Sequence, residues 1–155
     1  MDNTIIIYTD GASRGNGSED SIGSWGAYLS FNSSTKKISG ANKNVTNNQM
    51  ELMGCIKALE VVKDSQYPIE IYTDSAYVCN GINNKWYVNW RNNGWRNAKK
   101  EAVKNKELWQ ELLYQLEDRG LDVEIHKVKG HSGNEGNEIA DELCNIAMDE
   151  FIERE

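Results

Sequence analysis

At 155 residues the chain is sized for a single domain, 1–155, and its 39% hydrophobic and 26% charged composition is globular rather than disordered. Twenty-four acidic against seventeen basic residues give a formal net charge of −7, which taken alone argues against a nucleic-acid partner, since phosphate backbones call for basic domains. Three scattered cysteines with only two histidines exclude a zinc cage, and no apolar run approaches the roughly 20 residues of a membrane span.

Thr4 to Tyr8 is a short β-branched apolar run that predicts a strand stopping at Thr9-Asp10-Gly11, followed by a glycine-rich loop to Gly23. Trp25 to Phe31 and Lys37 to Lys43 read as two more strands, joined through Asn32-Ser33-Ser34-Thr35 as a hairpin. From Thr46 the period becomes helical: Leu52, Ile56 and Leu59 share a face, Thr46, Asn47 and Asn48 are N-cap candidates, and the helix must end before Tyr67-Pro68. Ile69 to Thr73 is a further strand, Ser75 starts a short helix, and Glu107 to Glu117 is a clearer one. Between them, Asn84 to Lys106 is aromatic and basic, helical in part with a break at Asn92-Asn93-Gly94. Val123 to Val128 is the last strand, and a helix follows from about Glu135 to Ile152. The order predicts an α/β fold whose mixed sheet begins antiparallel, continues through helical crossovers, and is flanked by helices.

The tetrapeptide Ile-Tyr-Thr-Asp occurs twice, ending at Asp10 and at Asp74. Two parallel strands closing on these repeats would bring both carboxylates to one sheet edge, where open α/β sheets place ligands. Each Asp could instead simply open a turn. Glu51 heads a helical stripe otherwise made of Cys55, Ala58 and Val62, so it either points at a site or complements the helix dipole. Asp141, in the early turns of the last helix, poses the same choice. If these four acids converge, they form an oxygen donor set suited to hard divalent cations and hence to metal-dependent phosphodiester chemistry.

Lys85 to Lys106 holds seven basic residues against the single acid Glu101, a local charge of +6 that leaves −13 for the rest. Trp86, Trp90 and Trp95 interleave with these cations, a combination suited to phosphate contact and stacking. An amphipathic helix with core tryptophans is the plainer alternative. His131, in Lys129-Gly130-His131-Ser132-Gly133, could shuttle protons near the acids, whereas His126 reads as structural or surface.

Thr9-Asp10-Gly11, Thr46 to Leu52, Thr73-Asp74-Ser75, and Lys129-Gly130-His131 with Asp141-Glu142-Leu143 resemble, in order and spacing, ribonuclease H of type 1. The likeness runs from Ile5 to about Met148, and residues 84–106 resemble the basic protrusion of the bacterial and vertebrate members. The resemblance implies the ribonuclease H-like fold with a five-stranded sheet, and endonucleolytic cleavage of the RNA strand of an RNA/DNA hybrid. Asp10, Glu51, Asp74 and Asp141 would hold two Mg2+ ions (Mn2+ being possible), one serving the attacking water and the other the leaving 3′ oxygen. Products would carry 5′-phosphate and 3′-hydroxyl ends, and His131 would assist proton transfer or product release.

By the same resemblance, Asn47 and Asn48 would meet the hybrid in its minor groove, where 2′-hydroxyls mark RNA. Gly11 would allow close approach to RNA, Thr46 and Asn105 would bind a phosphate of the DNA strand, and Trp86 and Trp90 would line its channel. Lys99 and Lys100 would contact phosphates as part of the basic segment. The acidic, proline-free loop from Gly15 to Asp20, Asn92-Asn93 and Ala76 depart from the family's pattern and imply altered hybrid contacts. A non-catalytic hybrid-binding module is the alternative, disfavoured by four acids that a pure binder would not aim at phosphates. The expected state is a cytoplasmic monomer: free thiols suit a reducing compartment, and the N-terminus lacks the basic and apolar regions of a secretory signal.

Overall fold

Alternating apolar residues and turn chemistry build the sheet. In the structure, a computed structural model that describes residues 3–15, 20–63, 66–129 and 134–154, five strands lie in the order β3-β2-β1-β4-β5. β1 (Ile5–Arg14), β2 (Ile22–Phe31) and β3 (Ser34–Lys43) form an antiparallel meander, and β4 (Ile69–Thr73) and β5 (Val123–Lys127) add on as parallel strands. The β2–β3 turn is Asn32-Ser33, tighter than the four-residue cluster suggests; Asn32 takes the left-handed backbone at φ 56° that such a hairpin needs.

The first strand differs from its sequence reading. It does not stop at Asp10 but runs on to Arg14, because β2 pairs with it from Ile6↔Ser30 to Arg14↔Ile22. On its other side the ladder to β4 is short, ending at Tyr8↔Tyr72. Asp10 therefore lies inside a strand yet just beyond the end of the parallel pair. The register aligns the two Ile-Tyr-Thr-Asp repeats, Ile7 opposite Ile71 and Tyr8 opposite Tyr72. Both aspartates follow the last paired residues by the same two positions.

Helices cover the two faces. α1 (Asn47–Val61) packs on β1 and β2 through Leu52, Cys55, Ile56 and Leu59, all buried, and Thr9 Oγ1 lies 3.5 Å from Cys55 Sγ on that face. Its start is fixed by a capping box: Thr46 Oγ1 accepts from Gln49 N, and Gln49 Oε1 accepts from Thr46 N. α5 (Glu135–Glu153) lies on the opposite face over β2, β1 and β3.

α2 (Ala76–Asn83), capped by Ser75, leads into α3 (Trp86–Asn92), and α4 (Lys106–Leu113) runs on into a π-helical turn at Tyr114–Asp118. α3 ends where the sequence breaks, at Asn93 and Gly94, the latter at φ +65°. The three cysteines are buried, and burial pushes the Cys55 thiol up to about 12, so they are inert core residues rather than metal ligands. Among the described residues no helix is long and apolar enough to cross a membrane.

Candidate active site

A strand that outlasts its neighbour leaves a notch at the sheet's edge, and here it is lined with acids. Asp10 comes from β1, Asp74 from the end of β4, Glu51 from the second turn of α1 and Asp141 from the second turn of α5; together they line a groove of about 430 Å³. Oxygen atoms of Asp10, Glu51 and Asp74 all fall within 4.8 Å of one another, and Asp141 approaches Asp10 closely enough to share a hydrogen bond. The structure thus brings together the four carboxylates singled out from the sequence. His131 lies outside the described residues.

Electrostatics give this cluster its meaning. Asp10 is 6% exposed and Glu51 5%. Burial, then the charges of Asp74 and Asp141, push the Asp10 carboxyl up from its ordinary 3.8 to about 8, against the Gly11 N–H that donates to it at 2.9 Å. Burial, followed by Asp10 and Asp74, drives Glu51 well above the carboxylate range, although Gly11 N–H and the Thr73 hydroxyl oppose it. Glu51 Oε2 is buried with no hydrogen-bond partner among the described residues, a condition that natural structures rarely leave uncompensated.

The groove lining holds no lysine, arginine or histidine among the described residues. An all-oxygen donor set, an orphaned carboxylate oxygen and uncompensated negative charge fit hard divalent cations. A second group, Glu70, Glu124 and His126, also brings donor atoms within 4.8 Å, but His126 is half-exposed and faces both acids as ion-pair partners, as a surface residue would.

The other residues fall around this groove. Asn47 and Asn48, exposed on the first turn of α1, line it directly, as do Gly11, Ala12, Ser13, Ser75, Ala76 and Tyr77. Gly11 is required by the protein itself: a Cβ there would lie 2.4 Å from Glu51 N and 2.6 Å from the Met50 carbonyl carbon, so α1 could not seat. Thr46 and Asn105 are joined through Gln49, whose Oε1 accepts from Thr46 N while its Nε2 donates to Asn105 Oδ1 at 3.1 Å. Asn105 in turn donates to Tyr77 Oη, which also accepts from Trp109 Nε1. The T-x-x-Q spacing signals the capping box, but nothing in the sequence ties Gln49 or Tyr77 to Asn105.

The basic segment has an aromatic root. Trp86 and Trp90 are half-buried and pack edge-on against fully buried Trp109, and Trp95 packs on Trp90. The core reading of the tryptophans therefore holds in part, and the same rings that mount the segment on the core keep an exposed margin. Beyond them, Asn97 Oδ1 accepts from Lys99 N and Glu101 N, and Arg96 donates to Lys100 O. This built turn presents Lys99 and Lys100 to solvent. Arg91 is paired with Glu117, which takes one cation out of the +6.

The RNase H family model matches residues 2–149. The chain is 54% identical over 149 residues to ribonuclease H of Francisella philomiragia subsp. philomiragia, covering 96% of this chain and 93% of that relative. It is 50% identical over 147 residues to ribonuclease H of Clostridium botulinum, covering 95% and 97%. Among solved structures, the crystal structure of LC9-RNase H1, a type 1 RNase H with the type 2 active-site motif, superposes with a TM-score of 0.81 at 27% identity, over 95% of this chain and 72% of that one. By sequence, by fold and by the acids gathered at its sheet edge, the chain belongs to the ribonuclease H family, metal-dependent nucleases that hydrolyse the RNA strand of RNA/DNA hybrids.

Proposed function

We propose that the groove of Asp10, Glu51, Asp74 and Asp141 is where this chain cuts the RNA strand of an RNA/DNA hybrid, using two Mg2+ ions, with Mn2+ able to replace them. The observation that carries the assignment is the buried Glu51 Oε2 beside Asp10, which has no hydrogen-bond partner among the described residues, in a groove whose described lining holds no cationic side chain. When bound, the ions supply charge stabilisation at the attacking and leaving oxygens and a lowered pKa for water. The protein's part is positional: four carboxylates from separate elements hold the site, Asp10 and Glu51 being its buried members. In the reaction a water oxygen bonds to phosphorus and the bond to the 3′ oxygen breaks. That oxygen takes up a proton, and the fragments end in 3′-hydroxyl and 5′-phosphate. His131 supplies the proton-transfer or product-release function in this reading.

Asn47 and Asn48, exposed at the groove's rim, would offer amide groups to the 2′-hydroxyls that distinguish RNA from DNA. Gly11, on the groove wall, would let RNA backbone come close. Thr46 and Asn105, linked through Gln49, would share a phosphate of the DNA strand, and the exposed margins of Trp86 and Trp90 would line its path. Residues 1–155 act as one domain in which 84–106 is the substrate-gripping protrusion, working as a cytoplasmic monomer.

The test is cleavage of labelled RNA/DNA hybrid, double-stranded DNA and double-stranded RNA, each with Mg2+ and with chelator. Hybrid alone should be cut, and only with metal; metal-independent cutting or equal cutting of all three substrates would refute the proposal. Replacing Lys99 and Lys100 with alanine should flatten the dependence of log affinity on log salt, by roughly 0.7–0.9 for each phosphate no longer neutralised. An unchanged slope in a binding titration would remove the protrusion from the interface.

A further inference from the structure

We propose that Gly26, assisted by Ser24, is a positioning residue that sets the distance between Asp141 and Asp10 and thereby the site's affinity for divalent metal. The inference rests on the reading of the four carboxylates as the metal-holding set. Gly26 is the cross-strand partner of Asp10 on β2. On the same strand face it is also the spot where α5 touches the sheet. A Cβ on Gly26 would lie 2.7 Å from Ala140 O, 2.8 Å from Leu143 Cβ and 3.3 Å from Cys144 N. Those atoms bracket Asp141, so the helical turn that carries this ligand rests on the bare backbone opposite the ligand it must meet.

The contact at 2.7 Å is to a helix carbonyl, which cannot rotate away as a side chain could. A methyl group at position 26 must lift that turn of α5 from the sheet, and Asp141 with it. Ser24, two residues away on the same face and fully buried, fixes the turn along the strand: its Oγ donates to Cys144 O at 2.7 Å. The residue at position 26 needs space rather than a special backbone conformation. Outer groups that orient metal-holding side chains are worth about 10–100-fold in metal affinity when disturbed.

Mn2+ binding, measured by calorimetry on folded protein, provides a readout independent of turnover. Gly26→Ala should weaken it by about tenfold or more, and the Mg2+ concentration for half-maximal cleavage should rise in parallel. Ser24→Ala adds no atoms and should weaken binding by about two- to fivefold, the loss of one hydrogen bond. Leu59→Ala, in the core towards the far end of α1, should lower thermal stability while leaving the Mn2+ affinity at the wild-type value. Wild-type affinity in Gly26→Ala overturns the inference; should that variant not fold, wild-type affinity in Ser24→Ala overturns it instead. Failure of wild type to bind Mn2+, or undiminished binding by Asp10→Asn, would bring down the metal-site reading itself and this inference with it.

Discussion

Asp10→Asn should abolish hybrid cleavage, lowering kcat by about a thousandfold or more, since a metal site contributes several kcal/mol of transition-state charge stabilisation. The substitution keeps the shape of the side chain and its acceptor oxygen towards Gly11 N–H, so the strand and the groove stay in place. What it removes is a charge at the meeting point of the cluster. Asp10 lies within reach of Glu51 and Asp74 on one side and of Asp141 on the other, so no other member touches as many partners. Hybrid binding at moderate salt should change little, because Lys99 and Lys100 are presented by a separate turn. Single-turnover cleavage of labelled hybrid beside a binding titration separates the two effects. A variant that cuts within tenfold of wild type would show that Asp10 does not hold the metal.

The legible parts of this fold are those where local chemistry and tertiary structure agree. Ile69–Thr73 falls where its β-branched run predicts, and α1 begins at Thr46, one of its three N-cap candidates. The paired Ile-Tyr-Thr-Asp repeats signal the sheet edge, and the register makes them neighbours. The end of β1 is not legible at Gly11, because glycine after Asp looks like a turn. This glycine answers instead to the backbone of Met50 and Glu51, about 40 residues distant in sequence, a contact that no local pattern reveals.

For the same reason Gly26 and Ser24 have no sequence signature. Each matters through a helix more than 100 residues later, and in the sequence they are small residues in a strand. The tryptophans of the protrusion carry two readings because their spacing suits both a core stripe and a stacking surface. Only the packing of Trp86 and Trp90 on Trp109 shows how one set of rings serves as a root.

The net charge of −7 misleads for a physical reason: an average cannot separate charges that repel a phosphate from charges that hold the cations meeting it. Four of the acids lie in one groove, and the basic excess is collected on one turn-rich segment. The molecule's remaining surface should repel hybrid, which leaves two places for it to bind. Affinity should therefore depend steeply on salt, and cleavage on divalent metal.

Metal-free protein should lose stability as the pH rises from about 4 to about 8, and divalent metal should restore it. The sign follows from the raised Asp10 carboxyl, ordinarily at 3.8 and here at about 8 through burial and through Asp74 and Asp141. Below pH 4 the group is protonated in both folded and unfolded chains, and pH has no effect through it. Between 4 and 8 the folded state keeps a proton that the unfolded state releases, so each step upward in pH favours unfolding. Above about 8 the folded state releases it too, and the penalty levels off. Glu51, driven the same way by burial and by Asp10 and Asp74, adds to the loss.

At about 1.4 kcal/mol per unit, the Asp10 shift alone is on the order of several kcal/mol, or roughly 10 °C in melting temperature for a domain of this size. Bound divalent cations favour the ionised carboxylates and so cancel the penalty. Thermal melts in chelator at pH 5 and pH 8, repeated with Mg2+ at pH 8, measure it directly. Asp10→Asn, which cannot ionise at this position, should melt higher than wild type in chelator at pH 8 and show a shallower pH dependence. The general repulsion of an acidic chain cancels in that comparison. Parallel pH slopes for the two proteins would mean that the cluster is not under the strain that its burial implies.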